Sequence, residues 1–159
     1  MVKEIRIPRS MGSIAVDTDK CMGCRSCEAV CALYHGGKFS PELSRIRVVK
    51  DWGEPSSPID SEFGLLTCRQ CPKPKCLEAC PEDAISADIK TGARVIDQEK
   101  CTGCQICIEA CIFTPARVYF NAEMEKAIKC DLCGGDPQCV KICPTSALRF
   151  KLSKSHAKA

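Results

Sequence analysis

Residues 21–31 read CMGCRSCEAVC, with four cysteines at the spacing C-x2-C-x2-C-x3-C. The same spacing returns at residues 101–111 in CTGCQICIEAC. Two further runs vary it, as C-x2-C-x4-C-x3-C over residues 68–80 and as C-x2-C-x5-C-x3-C over residues 130–143. All 16 cysteines of the 159-residue chain lie in these four runs. The runs are internal repeats, and we expect the chain to be built around them.

The spacing of the cysteines favours iron–sulfur clusters. A 4Fe–4S cluster needs four thiolates, and three cysteines two residues apart can reach three irons of one cluster. The fourth cysteine, three residues further on, is expected to begin a helix that points away and to bind another cluster, as in the bacterial ferredoxin run. Zinc sites space two ligand pairs by a dozen or more residues, and cytosolic chains rarely form disulfides. Both of these alternatives are therefore disfavoured.

Small residues near the cysteines fit the same interpretation. Gly23 and Gly103 precede the second cysteine of their runs, where a missing side chain is expected to let the backbone curl around inorganic sulfide. The segments CPEDAI at 80–85 and CPTSAL at 143–148 are parallel. In each, we expect the alanine to pack beside a cluster and the final aliphatic residue to start a strand.

Composition points to a fold that the clusters help to stabilise. Apolar residues other than cysteine make up about a third of the chain, and aromatic residues only 5%. Such a core is thin against an ordering cost of about 1.5 kcal/mol per residue. No apolar stretch is long enough to predict a membrane span. The first sixteen residues lack the apolar core of a secretory signal, which predicts a cytoplasmic location.

The formal net charge of +3 is misleading if the cysteines bind clusters. Each oxidised 4Fe–4S cluster with its thiolates carries a charge of about −2, so the loaded chain would carry about −5. The basic residues then offset cluster charge or form docking surfaces. We therefore expect no nucleic-acid partner.

The segments between the runs predict short strands. Residues 85–97 and 117–129 read as hairpins, and residues 44–50 as a strand with Ile46 and Val48 on one face. Short strands at 14–16 and 94–96 precede the first and third runs. The second and third runs are close in sequence and should form one two-cluster unit. By elimination, the first and fourth form the other.

Several residues outside the runs leave alternatives open. Residues 1–11 are expected to be a loose terminus, with a strand against a partner as the alternative. Trp52 lies in a predicted loop at 51–64, where it would cover a cluster edge or, less favoured, anchor a partner. His35 and His156 are expected to be packing or surface residues, and we find no catalytic group.

Four segments together resemble a known family: SPELSRIRVVKDW (40–52), CRQCPKPKCLEACPEDAI (68–85), TGARVIDQEKC (91–101) and KCDLCGGDPQCVKICPTSAL (129–148). They resemble the four-cluster ferredoxin-type electron-transfer subunits of the dimethyl sulfoxide reductase β-subunit family. The chain looks most like the small iron–sulfur subunits of tungsten aldehyde oxidoreductases and class II benzoyl-CoA reductases. The resemblance covers roughly residues 12–150.

The resemblance implies an α+β fold of two nested bacterial-ferredoxin-like (βαβ)2 units. The outer unit would comprise residues 12–67 plus 122–150, and the inner unit residues 68–121, with tails at 1–11 and 151–159. It also implies that each run gives three ligands to one 4Fe–4S cluster and its last cysteine to another. The implied ligand sets are Cys21, Cys24, Cys27 and Cys143 for cluster A; Cys31, Cys130, Cys133 and Cys139 for cluster B; Cys68, Cys71, Cys76 and Cys111 for cluster C; and Cys80, Cys101, Cys104 and Cys107 for cluster D.

The resemblance further implies a non-catalytic electron-transfer subunit. It would relay single electrons through four 4Fe–4S clusters between a large tungsten- or molybdenum-pterin catalytic subunit and a soluble ferredoxin or a flavin/NAD subunit. The alternatives are a free diffusible polyferredoxin and the same relay role in a formate dehydrogenase or hydrogenase complex. A third is an adaptor in which the clusters serve only to hold the fold together.

Overall fold

A computed structural model describes residues 7–50 and 62–153 of the chain. These residues form short strands and helices, which confirms a mixed fold of small elements. The regular elements are β1 (Gly12–Val16), α1 (Ser26–Gly36), β2 (Ile46–Lys50), β3 (Phe63–Thr67), α2 (Lys75–Glu78), β4 (Ile85–Ala87), β5 (Arg94–Ile96), α3 (Ile106–Glu109), β6 (Tyr119–Asn121), β7 (Lys126–Ile128), α4 (Gln138–Ile142) and β8 (Leu148–Leu152).

The strands pair as two-stranded antiparallel ribbons. Three ribbons join strands that follow each other in sequence: β2 with β3, β4 with β5, and β6 with β7. The fourth joins β1 to β8, with Gly12 opposite Leu152 and Val16 opposite Leu148. Helices α1 and α4 pack against each other beside this last ribbon. The first and fourth cysteine runs are thereby brought together from opposite ends of the chain.

The core consists of two small groups of buried residues in which cysteines are prominent. The larger group surrounds Ile14, Ile46 and Leu148 and includes cysteines of the first, second and fourth runs. The smaller surrounds Ile85 and Val118 and includes cysteines of the third run. An isolated two-stranded ribbon is barely stable in water. The ribbons therefore depend on packing against the cysteine-bearing loops.

Most of the predicted strands are confirmed. The hairpins at 85–97 and 117–129 are the β4–β5 and β6–β7 ribbons. The strand predicted at 44–50 is β2, with Ile46 and Val48 both buried. The loop predicted at 51–64 is wrong at its end, because β3 already begins at Phe63. Trp52 lies outside the described residues.

The helix near the first run differs from the prediction. It begins at Ser26, before the third cysteine, so Cys27 and Cys31 both lie inside α1. Arg25 adopts a left-handed conformation with φ of 59° and turns the chain into the helix one residue after Cys24. Cys31 therefore follows Cys27 by one helical turn instead of beginning a helix of its own.

Residues 8–11 are not a loose terminus. The Met11 amide donates a hydrogen bond of 2.6 Å to the Thr91 carbonyl, and the Pro8 carbonyl accepts one of 2.7 Å from Arg94. Residues 1–6 lie outside the described residues. At the other end, Lys151 and Leu152 belong to β8 and not to a tail, while His156 is not described.

No helix within residues 7–50 and 62–153 is both long enough and apolar enough to cross a membrane. The longest, α1, has 11 residues.

Gly23 and Gly103 are also required by their own conformation and by close neighbours, while their predicted approach to inorganic sulfide stays a prediction. Both have positive φ, 69° and 74°. A Cβ at Gly23 would overlap the Phe63 ring, and one at Gly103 would overlap the Glu125 carbonyl oxygen. The close neighbours are thus other parts of the chain.

We expect Gly103→Ala to lower the thermal midpoint Tm of the cluster-loaded protein more than Gly37→Ala does. Both positions have positive φ, which costs an alanine about 1–2 kcal/mol. Only at Gly103 would the new methyl group also meet backbone, whereas nothing lies near Gly37. Anaerobic thermal unfolding of both variants measures the difference. Equal losses would show that the approach of Glu125 is unimportant.

Candidate metal centres

Three cavities are each lined by four cysteines that come from two different runs. The cysteines are Cys21, Cys24, Cys27 and Cys143 around the first cavity (quartet A); Cys68, Cys71, Cys76 and Cys111 around the second (quartet C); and Cys80, Cys101, Cys104 and Cys107 around the third (quartet D).

The remaining four cysteines also converge. The thiols of Cys130, Cys31 and Cys133 lie close enough to Cys139 to add to the rise in its pKa that burial causes. We call these four residues quartet B. Every cysteine of the chain thus belongs to one of four quartets, and the quartets are the sets that the resemblance implies. That each quartet binds one cluster stays a prediction.

The quartets follow one another in a row. Cys27 of quartet A raises the pKa of Cys139 in quartet B. Cys68 of quartet C does the same for Cys130 of quartet B. Between quartets C and D, Cys76 acts in this way on Cys107. These interactions make A a neighbour of B, B a neighbour of C, and C a neighbour of D.

Helix α1 explains why the first run divides between two quartets. Cys27 and Cys31 are four residues apart on α1 and so lie one above the other along its face. The first therefore faces quartet A and the second the adjoining quartet B. The alanines behave as predicted, since Ala84 lines the cavity of quartet D and Ala147 that of quartet A, and both are buried.

Several of the buried thiols lie in surroundings that disfavour the thiolate unless a cation is present. Burial raises the pKa of Cys27, Cys107 and Cys130 to about 12, and that of Cys133 to about 11. Like charges from neighbouring thiols add to the rise. Coordination to a metal deprotonates a thiol outright. These buried thiols therefore suit metal binding and do not suit free, reactive thiolates, whereas in quartet A the effect of burial on Cys143 is outweighed by hydrogen bonds that lower its pKa.

Two buried cations near the quartets indicate that an anionic cluster would fit there. Arg94 is 1% exposed and Lys129 is 2% exposed. Arg94 donates to the carbonyls of Cys71, Pro8 and Gly92, and Lys129 donates to those of Arg94 and Cys130. Neither forms an ion pair with a carboxylate of the described chain. A buried charge without a counter-charge costs several kcal/mol. Clusters with a net negative charge at quartets B and C would supply that counter-charge to Arg94 and Lys129.

Quartet B has polar neighbours that the sequence did not reveal. His35 Nε2 lies 3.7 Å from Cys133 Sγ and 3.5 Å from Asp131 Oδ1. Arg45 pairs with Asp131 at 2.6 Å, and its amide donates to Cys31 Sγ at 3.2 Å. Burial, with a contribution from Arg45, lowers the pKa of His35 to about 4. No motif could have found this group, because its members come from distant segments.

His35, Asp131 and Cys133 are spaced closely enough to hold a metal ion. Cys133 already belongs to quartet B, so we treat the other two side chains as its surroundings and not as a separate site. Of the two roles expected for His35, packing or surface, the structure favours packing, since its side chain is only 10% exposed.

Comparison with known proteins agrees with this geometry. Residues 59–153 match the family described as the 4Fe-4S dicluster domain, and residues 18–34 match a 4Fe-4S binding domain. The chain belongs to the 4Fe-4S dicluster domain family, and 4Fe–4S clusters are its cofactors.

The relatives include a polyferredoxin-like subunit and an electron transport protein. The chain is 45% identical over 131 residues to the "aliphatic sulfonate oxidoreductase, polyferredoxin-like subunit" of Pyrococcus furiosus, covering 82% of this chain and 70% of that one. It is 34% identical over 158 residues to the "electron transport protein HydN" of Escherichia coli, covering 85% of each. A chain of the active site complex BamBC of benzoyl coenzyme A reductase has a similar fold, with a TM-score of 0.52 and 25% identity over 92% of this chain and 79% of that one.

These findings define the class of the protein. It is an iron–sulfur electron-transfer protein of the kind that serves oxidoreductases, without a catalytic role of its own. The resemblance found in the sequence is confirmed.

We expect removal of iron to unfold the chain. The core groups contain the cysteines themselves, and the buried cations would lose their counter-charge. By analogy with structural zinc, metal binding supplies on the order of 10 kcal/mol of folding free energy. Circular dichroism before and after anaerobic chelation measures the loss. A native-like spectrum in iron-free protein would contradict the prediction.

Proposed function

We propose that the chain relays single electrons along four 4Fe–4S clusters, A to D, each bound by the quartet of the same letter. The observation that carries the proposal is that all sixteen cysteines fall into four groups of four whose neighbours are in electrostatic contact. Closely spaced one-electron centres in one small chain suit a relay. A polypeptide of this size, about 15 Å in radius of gyration, keeps four clusters within short distances of one another.

The fold proposal is that two ferredoxin-like (βαβ)2 units are nested in the chain. The β1–β8 ribbon and the packing of α1 on α4 support an outer unit of residues 12–67 plus 122–150. The packing of α2 on α3 supports an inner unit of residues 68–121. The two units would meet where quartet B adjoins quartet C.

We expect Cys111→Ser and Cys107→Ser to alter two different clusters although both residues belong to the third run. Cys111 lines the cavity of quartet C, and Cys107 lines that of quartet D. Electron paramagnetic resonance (EPR) of the reduced, cluster-loaded variants distinguishes the affected centres, and iron and sulfide analysis counts the rest.

A matched pair sharpens this comparison. Cys68→Ser should change the same EPR signal as Cys111→Ser, since both residues line one cavity. If Cys111→Ser and Cys107→Ser instead changed a single shared signal, the proposed exchange of ligands between the second and third runs would be wrong.

The proposed partner is a large tungsten- or molybdenum-pterin catalytic subunit. Two similar proteins support it: the Pyrococcus furiosus relative is named as a subunit of an oxidoreductase, and the BamBC complex contains the active site of benzoyl coenzyme A reductase. On the other side of the relay we propose a soluble ferredoxin or a flavin/NAD subunit. The "NADH-dependent phenylglyoxylate dehydrogenase subunit beta" of Aromatoleum evansii is 36% identical over 89% of this chain, although this chain covers only 30% of it.

The alternatives each have some support. The name "electron transport protein HydN" suits a free diffusible carrier. The "hydrogenase-2 operon protein HybA" of Escherichia coli O157:H7 is 30% identical over 91% of this chain, and its name suits a hydrogenase complex. We favour a permanent complex because of the surface next to quartet A. The cytoplasmic location expected from the sequence belongs to the same proposal.

The surface next to quartet A favours a permanent partner. A cavity there is lined by Cys24 together with apolar residues that include Leu33, Phe39 and Ile142. These three side chains are exposed, Phe39 by 72%, and Cys24 is exposed beside them. Permanent interfaces are more apolar than transient ones. We propose that the catalytic subunit covers this face and exchanges electrons with cluster A.

We expect Phe39→Asp to reduce co-purification of the catalytic subunit by tenfold or more, because a charge would be buried in an apolar interface. The control is Ile89→Asp, since Ile89 is 97% exposed at the turn of the β4–β5 ribbon. Native mass spectrometry of protein isolated anaerobically from its host reports cluster count and companions together. A wild-type chain that carries four clusters but no companion would favour the diffusible carrier.

A further inference from the structure

Fixed charges are distributed unevenly along the row of quartets. Quartet A has a buried carboxylate beside it, since Glu28 accepts a hydrogen bond of 2.7 Å from the Val48 amide and its charge raises the pKa of Cys27. Arg25, which pairs with Glu28 at 3.0 Å, is exposed. Quartet A thus has a buried carboxylate beside it, and the cation that lines its cavity, Arg25, reaches water and is paired with that carboxylate.

Quartets B and D have weaker positive surroundings. At quartet B, the charge of Arg45 is balanced by its ion pair with Asp131, and the second cation, Lys129, which donates to the Cys130 carbonyl, is shared with quartet C. At quartet D, Lys126 donates to the Cys101 carbonyl but is only partly buried. Charges that reach water are screened.

Quartet C has two buried cations. The Arg94 guanidinium donates two hydrogen bonds to the Cys71 carbonyl, of 3.2 and 3.0 Å, and lines the quartet's cavity. Lys129 donates to the Arg94 and Cys130 carbonyls, between quartets B and C. Burial lowers the pKa of Arg94, and the nearby thiols of quartet C oppose that shift. The charge of Lys129 also opposes the burial-driven rise in the pKa of Cys76.

Each one-electron reduction adds a negative charge to a cluster. A positive charge close by, in surroundings that exclude water, stabilises the reduced form more than the oxidised form and so raises the reduction potential. Arg94 and Lys129 meet both conditions. Quartet B shares Lys129, but within the described chain only quartet C has the buried Arg94 beside it as well, and neither cation pairs with a carboxylate.

We propose that Arg94 and Lys129 make cluster C the centre of highest reduction potential in the relay, so that the first electron to enter the chain rests there. The inference rests on the proposed ligand sets. In this inference the two cations act by changing the reduction potential of cluster C, and neither contacts a substrate.

The position of cluster C among the four clusters suggests what its high reduction potential would do. Cluster C lies between B and D, so an electron that enters at either end moves inward to it. The catalytic partner can then be supplied with a second electron while the first is held inside the chain. In such a relay, the donor can deliver single electrons at one end before the catalytic partner needs them at the other end.

The test is an EPR-monitored redox titration of the full, cluster-loaded chain. In the wild type, the signal that develops at the highest potential should be the signal that Cys111→Ser changes. In Lys129→Met, the ratio of reduced to oxidised cluster C at a given potential should fall at least tenfold, which for a one-electron couple is a downward shift of about 59 mV. Lys129→Arg should restore most of the wild-type value.

Lys75→Met is the matched control. Lys75 lines the same cavity, but it is exposed and pairs with Glu78 at 2.7 Å. Its removal should leave all four potentials close to their wild-type values. If Lys75→Met shifted cluster C as much as Lys129→Met, burial of the charge would not be the cause and the proposal would be overturned.

The inference and the ligand assignment can fail separately. If Cys111→Ser leaves the wild-type signal of highest potential unchanged, the inference is wrong. This result decides the question even when Lys129→Met fails to bind its clusters. If Lys129→Met loads four clusters and shifts none, it is also wrong. If the chain holds fewer than four clusters, or if Cys111→Ser and Cys107→Ser change one signal, the proposed function itself fails.

Discussion

The convergence of four cysteine thiols from two separate runs is the constraint on which the rest of the structure depends. Each quartet takes three members from one run and one from another, so no run can be completed alone. The regular elements are short because they serve mainly to connect these groups, and the ribbons β4–β5 and β6–β7 have only three residues in each strand. Apolar packing fills the space around the quartets but does not form a core without them.

The buried charges follow from the same constraint. The formal charge of +3 counts Arg94 and Lys129 as if they were ordinary basic residues. In the fold they are internal, and their partners are carbonyl groups together with the charge that the neighbouring clusters carry. A sequence-based isoelectric point of about 8.1 therefore gives a poor description of the surface. Internal counter-charge of this kind is expected wherever several anionic cofactors share a small volume.

Much of this architecture could be predicted because its signals are local. The spacing within each run identifies three of the four members of a quartet, and the turn residues between runs identify the hairpins. The fourth member was accessible only through resemblance to a family, since it depends on how distant segments meet. The start of α1 was missed because it is set by the left-handed conformation of Arg25, which no composition rule indicates. The docking of Met11 on Thr91 was missed for a similar reason, since backbone hydrogen bonds leave no trace in side-chain patterns.

The charged neighbours of the quartets were the least accessible to sequence reasoning. The sequence predicted that basic residues offset cluster charge or form docking surfaces, but it did not indicate that Arg94 and Lys129 are the buried ones. Their burial becomes understandable only when the negative charge of the clusters is included. His35, Arg45 and Asp131 are likewise brought together only by packing of α1 against the loop before α4.

Pairing of β1 with β8 has a consequence for biosynthesis. The first strand waits for its partner until the ribosome has made residue 152. With the proposed ligand sets, the cysteines of quartet D are all present once residue 107 is made, and those of quartet C once residue 111 is made. Quartets B and A wait for residues 139 and 143. The nascent chain can therefore accept clusters at its centre first, while its earliest thiols must be protected from oxidation until its last ones emerge.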